Sequence, residues 1–171
     1  MKPKGGSNLY AEELEILKKA ILNEHEGNQF YRLAAEKASD EQIRQAFLAL
    51  AAEEQEHEQW LKNLYKEVTR NKPPGGEKFS LPPVASPGIF SRENIGTESG
   101  SLIVSVFSIG VLIEKASLDF YREAARKTGL AAAKNLYLRL AEWEQEHLTK
   151  LEAAYDYARE EWWDKQGFSP A

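Results

Sequence analysis

Apolar residues recur at alternating spacings of four and three along four long stretches of the chain. That spacing is typical of α-helices that bury one face against their neighbours. It predicts helices over about residues 8–38, 39–71, 98–128 and 130–164. Ser39, followed three residues later by Gln42, matches a capping box at the start of the second helix. Gly129 suits the C-terminal cap of the third helix.

Residues 72–97 interrupt the helical pattern and hold five of the seven prolines of the chain. A connection of this length within a compact domain needs a structural reason. A crossover supplies one, because it lets the third helix begin at the same end of a bundle as the second, so that these two helices lie parallel. The 171 residues are therefore predicted to form a single domain, residues 1–171, with an all-α four-helix bundle and one long crossover.

The chain contains an internal repeat with an offset of 90 residues. Residues 50–57 read LAAEEQEH, and residues 140–147 read LAEWEQEH. Upstream, Glu24 and Tyr31 recur as Glu114 and Tyr121 at the same offset. A fixed repeat indicates two copies of one structural unit. Here the unit is a helical hairpin, over about residues 8–71 and 98–164.

Each copy carries a Glu-x-x-His pair, and helical spacing puts the carboxylate and the imidazole on one face, one turn apart. Such a pair can ligate one metal ion. The pairs lie on the core-facing stripes of their helices, as does one glutamate from each of the other two helices. Two divalent cations match four carboxylates, whereas uncompensated buried carboxylates are costly. The six candidate ligands are Glu24, Glu54, His57, Glu114, Glu144 and His147.

The other charged residues of the repeated stretch are interpreted as solvent-exposed. Glu53, Glu56 and Glu146 lie off the core-facing stripes of their helices. His25, the third histidine of the chain, has no counterpart in the second copy, where the matching residue is Lys115. A solvated face is the ordinary state of a glutamate-rich helix segment, so these four residues are predicted to lie at the surface.

Composition restricts the classes of function. The formal net charge of −5 argues against nucleic acid or an anionic membrane as a partner. The chain has no cysteine, so it forms neither a disulfide nor a thiolate metal site. The longest apolar run, residues 100–113, is too short to span a bilayer. The first residues lack the apolar segment of a signal peptide, and a cytoplasmic location is expected.

The repeated motif resembles the ferritin-like di-iron carboxylate superfamily, and within it the rubrerythrin group. The resemblance covers about residues 15–65 and 105–155. It implies a bundle in which two helices each supply one glutamate and two each supply Glu-x-x-His. The implied cofactor is a pair of iron ions, with manganese as the other metal that such ligands accept. By this resemblance Glu54 and Glu144 bridge the ions, Glu24 and His57 complete one metal position, and Glu114 and His147 complete the other.

The resemblance also assigns supporting residues, and one of the chain's two departures from the family lies among the residues of the bundle. Tyr31 and Tyr121 lie two turns beyond the first glutamate of each copy, and their hydroxyls are expected to donate to the bridging carboxylates. Typical rubrerythrins carry an additional glutamate where this chain has Ser117. The matching residue of the first helix is Gly27, and these small residues are expected to leave room for a water molecule or a small oxidant.

The resemblance favours an oxidoreductase that reduces hydrogen peroxide, or dioxygen, at a di-iron site. Because the chain lacks the four cysteines of a rubredoxin domain, the electrons are expected from a separate donor protein. Ferroxidation with iron storage or delivery uses the same ligands and is one alternative. A non-enzymatic helical interaction module, which keeps the motif as a scaffold, is the other.

The third predicted helix is apolar beyond its core-facing stripe, at positions that include Val104, Val106, Ile109, Val111 and Ile113. A helix that is apolar nearly all round is covered on several sides. The matching stretch of the first helix instead carries charged residues, which are interpreted as a solvated face: Glu12, Glu13, Glu15, Lys18 and Lys19. Either the crossover or a second subunit would cover the third helix. Because one extended loop is too little to cover a helix of this length, the difference predicts a homodimer whose interface includes the third helix, and the alternative is a monomer in which the crossover suffices.

Overall fold

The computed structural model describes residues 6–70 and 100–167, and these form four α-helices. The described residues contain no strand, so the prediction of an all-α bundle is confirmed. The observed helix ends differ from the predicted ones by one or two residues. None of the described helices is both long and apolar enough to cross a membrane. The helices are α1 (Gly6–Lys37), α2 (Glu41–Thr69), α3 (Gly100–Lys127) and α4 (Ala131–Lys165).

The helices pack as two hairpins, α1 with α2 and α3 with α4. The end of α3 lies beside the beginning of α1, where the Thr128 hydroxyl donates to Glu13. The beginning of α3 lies beside the end of α1, where Ile103 lines a small cavity with Ala34 and Ala38. The end of α2 and the beginning of α3 are therefore at opposite ends of the bundle, as a crossover requires. The predicted crossover, residues 72–97, lies outside the described residues.

Two apolar clusters fill the core, and every helix runs from one cluster to the other. The first cluster includes Leu17, Leu61, Leu136 and Leu140, and the second includes Ile43, Phe47, Phe107 and Leu151. Between them, each helix contributes buried polar residues at mid-length. The hydrophobic effect drives the burial of both clusters, and their position places the candidate ligands in the middle of the bundle.

The beginning of α2 is capped by Asp40 and not by Ser39, so the predicted capping box is wrong. Asp40 has an extended backbone, and its carboxylate accepts hydrogen bonds from the backbone N–H groups of Gln42 and Ile43 at 2.9 and 3.0 Å. A carboxylate satisfies these otherwise unpaired donors and also interacts favourably with the positive end of the helix dipole. The helix consequently begins at Glu41.

Gly129 does not take the left-handed conformation that the predicted helix cap requires. Among the described residues, Gly167 is the one glycine with a positive φ, at 74°. A Cβ atom at residue 129 would lie 2.7 Å from Cδ1 of Leu9. Glycine therefore serves close packing here, because it lets the turn between α3 and α4 approach the beginning of α1.

Glu13 is buried, so its interpretation as part of a solvated face is wrong. Only 1% of the residue is exposed, and its carboxylate accepts hydrogen bonds from Tyr137 at 2.5 Å and from Thr128. Burial and the hydrogen bond to Glu13 raise the pKa of Tyr137, which keeps the hydroxyl protonated as a donor. The repeat could have predicted the burial of Glu13, because its counterpart in the second copy is the apolar residue Ile103, which is also buried.

The outer face of α3 is apolar and exposed. Leu102, Ile109 and Leu112 are 52%, 48% and 65% exposed. At the positions that match Leu102 and Ile109, α1 carries the exposed charged residues Glu12 and Lys19. The predicted difference between the two helices is therefore present in the structure. The homodimer remains a prediction, because nothing in the structure shows what covers this face.

Replacing Tyr137 with Phe should destabilise the metal-free protein. The change leaves the buried Glu13 carboxylate with one donor fewer, which costs about 1–3 kcal/mol. Urea unfolding followed by circular dichroism measures the free energy of unfolding. The matched control is Tyr157→Phe, which removes a longer hydrogen bond of 3.4 Å to Glu161. Equal stability of the two variants would contradict a structural role for the Tyr137–Glu13 contact.

Light scattering should give twice the mass of the 19.4 kDa chain if the face of α3 forms a dimer interface. Ile109→Glu should then shift the protein towards monomer, because an unpaired carboxylate is costly to bury. Lys19→Glu introduces the same side chain at the matching position of α1 and should leave the mass unchanged. A monomer whose mass does not change with concentration would rule out the dimer.

Candidate metal centre

All four helices contribute to one buried polar cluster in the middle of the bundle. Helical spacing places Glu54 and His57 on one face of α2, and Glu144 and His147 on one face of α4. The other helices add one glutamate each, which are Glu24 from α1 and Glu114 from α3. Each of the six residues is at most 3% exposed. The structure thus brings together every ligand candidate identified from the sequence.

The six residues form two groups that have two members in common. Within each group, one nitrogen or oxygen atom per residue lies within 4.8 Å of the others. Glu54 and Glu144 belong to both groups, which is the arrangement required of bridging carboxylates. Each of the other four residues belongs to one group only, and the groups are Glu24–Glu54–His57–Glu144 and Glu54–Glu114–Glu144–His147.

Unpaired polar atoms in the second group fit a cation. Three buried side-chain atoms have no hydrogen-bond partner among the described residues: Glu114 Oε2, Glu144 Oε1 and His147 Nδ1. Buried polar atoms are normally paired, and each exception calls for an explanation. A divalent cation would accept electron pairs from all three atoms. The mixture of carboxylate and imidazole ligands suits iron or manganese.

Without a cation, protons reduce the charge repulsion within the cluster. Burial and the negative charge of Glu54 raise the pKa of Glu24 to about 8. Burial and the charges of Glu54 and Glu114 likewise raise the pKa of Glu144. Burial alone would lower the pKa of His57, but its contacts with Glu24 and Glu54, at 3.0 and 3.2 Å, raise it to about 9.

Neither tyrosine donates to Glu54 or Glu144, the two carboxylates expected to bridge, so that prediction is wrong. Tyr31 on α1 donates to Glu114 on α3, and Tyr121 on α3 donates to Glu24 on α1. The reason is that α1 and α3 run in opposite directions, so each tyrosine lies opposite the glutamate of the other helix. Burial and the nearby carboxylates raise the pKa of both tyrosines, which keeps their hydroxyls protonated.

Glu53 is part of the centre, although its sequence position suggested a surface residue. Its Oε2 atom lies 2.7 Å from Nε2 of His147, and its side chain is only 24% exposed. Burial would raise the pKa of Glu53, but the hydrogen bond from His147 lowers it below the usual range. The repeat could have predicted that Glu53 faces the core, because its counterpart in the second copy is the buried residue Trp143.

The remaining surface assignments are confirmed. Glu56 and Glu146 are exposed. His25 is also exposed, and its Nδ1 atom lies 3.7 Å from Oε1 of Glu58. Among the described residues, the charged side chains of the centre are therefore the six buried ligand candidates and Glu53.

Ser117 and Gly27 differ in the space that they leave. The Ser117 hydroxyl is buried and accepts a hydrogen bond of 2.9 Å from the side-chain amide of Asn23. A Cβ atom at residue 27 would lie 3.5 Å from Cγ of Glu54, at ordinary van der Waals distance. The space between Gly27 and Glu54 therefore fits only a methyl group bonded to the Cα atom of residue 27, and the Ser117 hydroxyl is already hydrogen-bonded.

Binding of zinc(II) to the metal-free protein at neutral pH should release protons. His57, with a pKa of about 9, and Glu24, with a pKa of about 8, are protonated there and lose their protons on ligation. The apparent affinity should therefore rise with pH up to about pH 9, above which both groups are deprotonated before the metal binds. Calorimetry in buffers of different ionisation enthalpy counts the protons released. A count of zero, or an affinity that falls with rising pH, would contradict these protonation states.

Comparison with known proteins identifies the family. The family model described as Rubrerythrin matches residues 15–155. A solved structure, "Hypothetical Protein Pfu-1136390-001 From Pyrococcus furiosus", superposes with a TM-score of 0.63 at 25% sequence identity, over 85% of this chain and 89% of that one. No curated protein matches this chain. Because the match to the family model spans both hairpins, the chain belongs to the rubrerythrin family, a ferritin-like family of di-iron proteins.

Proposed function

We propose that this chain is a di-iron oxidoreductase that reduces hydrogen peroxide, or dioxygen, with electrons from a separate donor protein. The observation that carries the proposal is the pair of buried ligand groups joined by Glu54 and Glu144. The six ligands are Glu24, Glu54, His57, Glu114, Glu144 and His147, and four carboxylates balance the charge of two divalent cations. Iron is the metal proposed, and manganese is the metal that the same ligand types also accept.

Two ferrous ions held in these groups would supply the two electrons that, with two protons, convert hydrogen peroxide into two molecules of water. The residues of the chain contribute position and charge. Tyr31 and Tyr121 hold the terminal carboxylates Glu114 and Glu24 through hydrogen bonds from opposite helices. A ligand carboxylate restrained in this way keeps its orientation when the charge beside it changes.

Burial of the centre limits which oxidants reach it. The ligand residues are almost fully enclosed by the two apolar clusters. Such enclosure is compatible with a small oxidant such as hydrogen peroxide or dioxygen and excludes a bulky organic substrate. A dry, enclosed site also strengthens the electrostatic interactions within it.

The electrons are proposed to come from a separate protein, because this chain has no cysteine and cannot itself hold a thiolate-bound iron site.

Ferroxidation with iron storage or delivery is the second candidate function. Ser117 favours it, because this residue replaces the additional glutamate of typical rubrerythrins and already accepts a hydrogen bond from Asn23. Assembly separates the two functions, since storage requires a closed shell of many chains whereas a reductase works as a small oligomer.

Stopped-flow mixing of the iron-loaded, reduced protein with hydrogen peroxide tests the proposal. Oxidation should be fast in the wild type and slower by at least about 100-fold in a Glu54→Ala, Glu144→Ala double variant, which loses both bridging carboxylates. The matched control is Glu56→Ala, Glu146→Ala, which removes two exposed carboxylates at the same offset. If the wild type reacts no faster than the bridging double variant, the peroxide reductase proposal is wrong.

A further inference from the structure

The two metal positions have the same types of ligand, but the residues behind their histidines differ. In the repeat, Glu53 of α2 corresponds to Trp143 of α4, and Trp60 corresponds to Lys150. His147 therefore contacts the carboxylate of Glu53 on the side away from the metal position. His57 instead packs against aromatic rings. The ligands themselves obey the repeat, so these neighbours break the symmetry of the centre.

His147 makes polar contacts on both sides of its ring. Its Nδ1 atom lies 3.5 Å from Oε1 of Glu54 and 3.6 Å from Oε2 of Glu114, which are ligand carboxylates. Its Nε2 atom lies 2.7 Å from Oε2 of Glu53. Nδ1 is thus the atom that faces the metal position, and the N–H at Nε2 donates to Glu53. This hydrogen bond fixes both the tautomer and the orientation of the ring.

His57 is held by aromatic packing instead. Its Nδ1 atom faces the ligand carboxylates, at 3.0 Å from Glu24 and 3.2 Å from Glu54. Its ring stacks on Trp143 with centroids 4.9 Å apart and an interplanar angle of 16°. Trp60 packs against it at 5.4 Å. Among the described residues, every carboxylate within 4.0 Å of a His57 nitrogen contacts Nδ1.

These differences affect metal affinity. A carboxylate that accepts the N–H of a ligating imidazole raises the basicity of the ligand, and removing such a partner typically costs about 10–100-fold in affinity. Stacked indole rings orient an imidazole but supply no negative charge to its N–H. The position that contains His147 is therefore expected to bind a cation more tightly than the position that contains His57.

We propose that the two metal positions fill in order, the Glu114–His147 position first, and that Glu53 is the positioning residue that sets this order. The inference rests on the metal centre of the proposed function, but it concerns binding alone and requires no oxidant. It also assigns a role to Glu53, which departs from the repeat and contacts a ligand candidate through a hydrogen bond.

Zinc(II) titration of ¹⁵N-labelled, metal-free protein tests the order directly. The chain has three histidines, so their imidazole signals separate readily, and the exposed His25 serves as an internal reference. Up to about one zinc ion per chain, the Nδ1 signal of His147 should take the chemical shift of a zinc-bound nitrogen while that of His57 does not. If Nδ1 of His57 becomes zinc-bound first, or both become zinc-bound together, the inference is overturned.

Calorimetry of variants tests the role of Glu53. Glu53→Gln keeps an acceptor oxygen but loses the charge, and Glu53→Ala loses both. The first binding step should weaken by about 10–100-fold in the alanine variant and less in the glutamine variant, with the second step unchanged. Glu56→Gln makes the same charge change at an exposed position of α2 and should bind zinc as the wild type does. Unchanged binding by Glu53→Ala would overturn the inference.

The outcomes distinguish this inference from the proposed function. Two zinc sites that fill together overturn the order but leave the di-metal centre, and therefore the reductase proposal, standing. Ordered zinc binding combined with no reaction between the iron-loaded protein and peroxide overturns the reductase proposal alone. Absence of zinc binding by the wild type overturns the metal centre and both proposals. The zinc titration of the wild type needs no variant, so it decides the order even if a substitution at residue 53 impairs folding.

Discussion

Compensation of buried charge is the constraint on which the rest of this structure depends. Four carboxylates and two imidazoles lie in the middle of a helical bundle, where an ionised group without a partner is costly. The cost is reduced because the carboxylates and imidazoles lie together in two groups, and Glu54 and Glu144 belong to both of these groups. Hydrogen bonds from Tyr31 and Tyr121 add further compensation, and the apolar clusters on either side keep water out.

The internal repeat explains both the symmetry of the centre and the places where symmetry fails. Equivalent helices supply equivalent ligands, as the 90-residue offset requires. Glu13 and Glu53 break the pattern, because their counterparts are the apolar residues Ile103 and Trp143. Each of these glutamates is buried or partly buried, and each is paired, one with Tyr137 and the other with His147. A carboxylate that replaces a buried apolar residue of the repeat therefore marks a specific polar contact here, whereas Glu12, whose counterpart is the exposed Leu102, lies at the surface.

Much of the fold and all six ligand candidates could be predicted from the sequence, because the information is local and periodic. Helical geometry fixes which residues share a face over one or two turns, so Glu54 and His57 had to point the same way, and the second copy confirmed the pattern. Local signals were less reliable at helix ends. Ser39 and Asp40 are both good caps, and backbone geometry alone determined that Asp40 is the one used.

By itself, therefore, the sequence determined the four helices, the repeat and the six ligand candidates that meet at the centre, but not the part played by Glu53. Only the tertiary structure decided the partners of those residues. Tyr31 pairs with Glu114 across 83 positions of the chain, and His147 pairs with Glu53 across 94. Such contacts depend on the antiparallel packing of α1 and α3 and on how the two hairpins face each other. Helical periodicity describes one helix at a time, so it contains no information about which side chains lie opposite each other across the core.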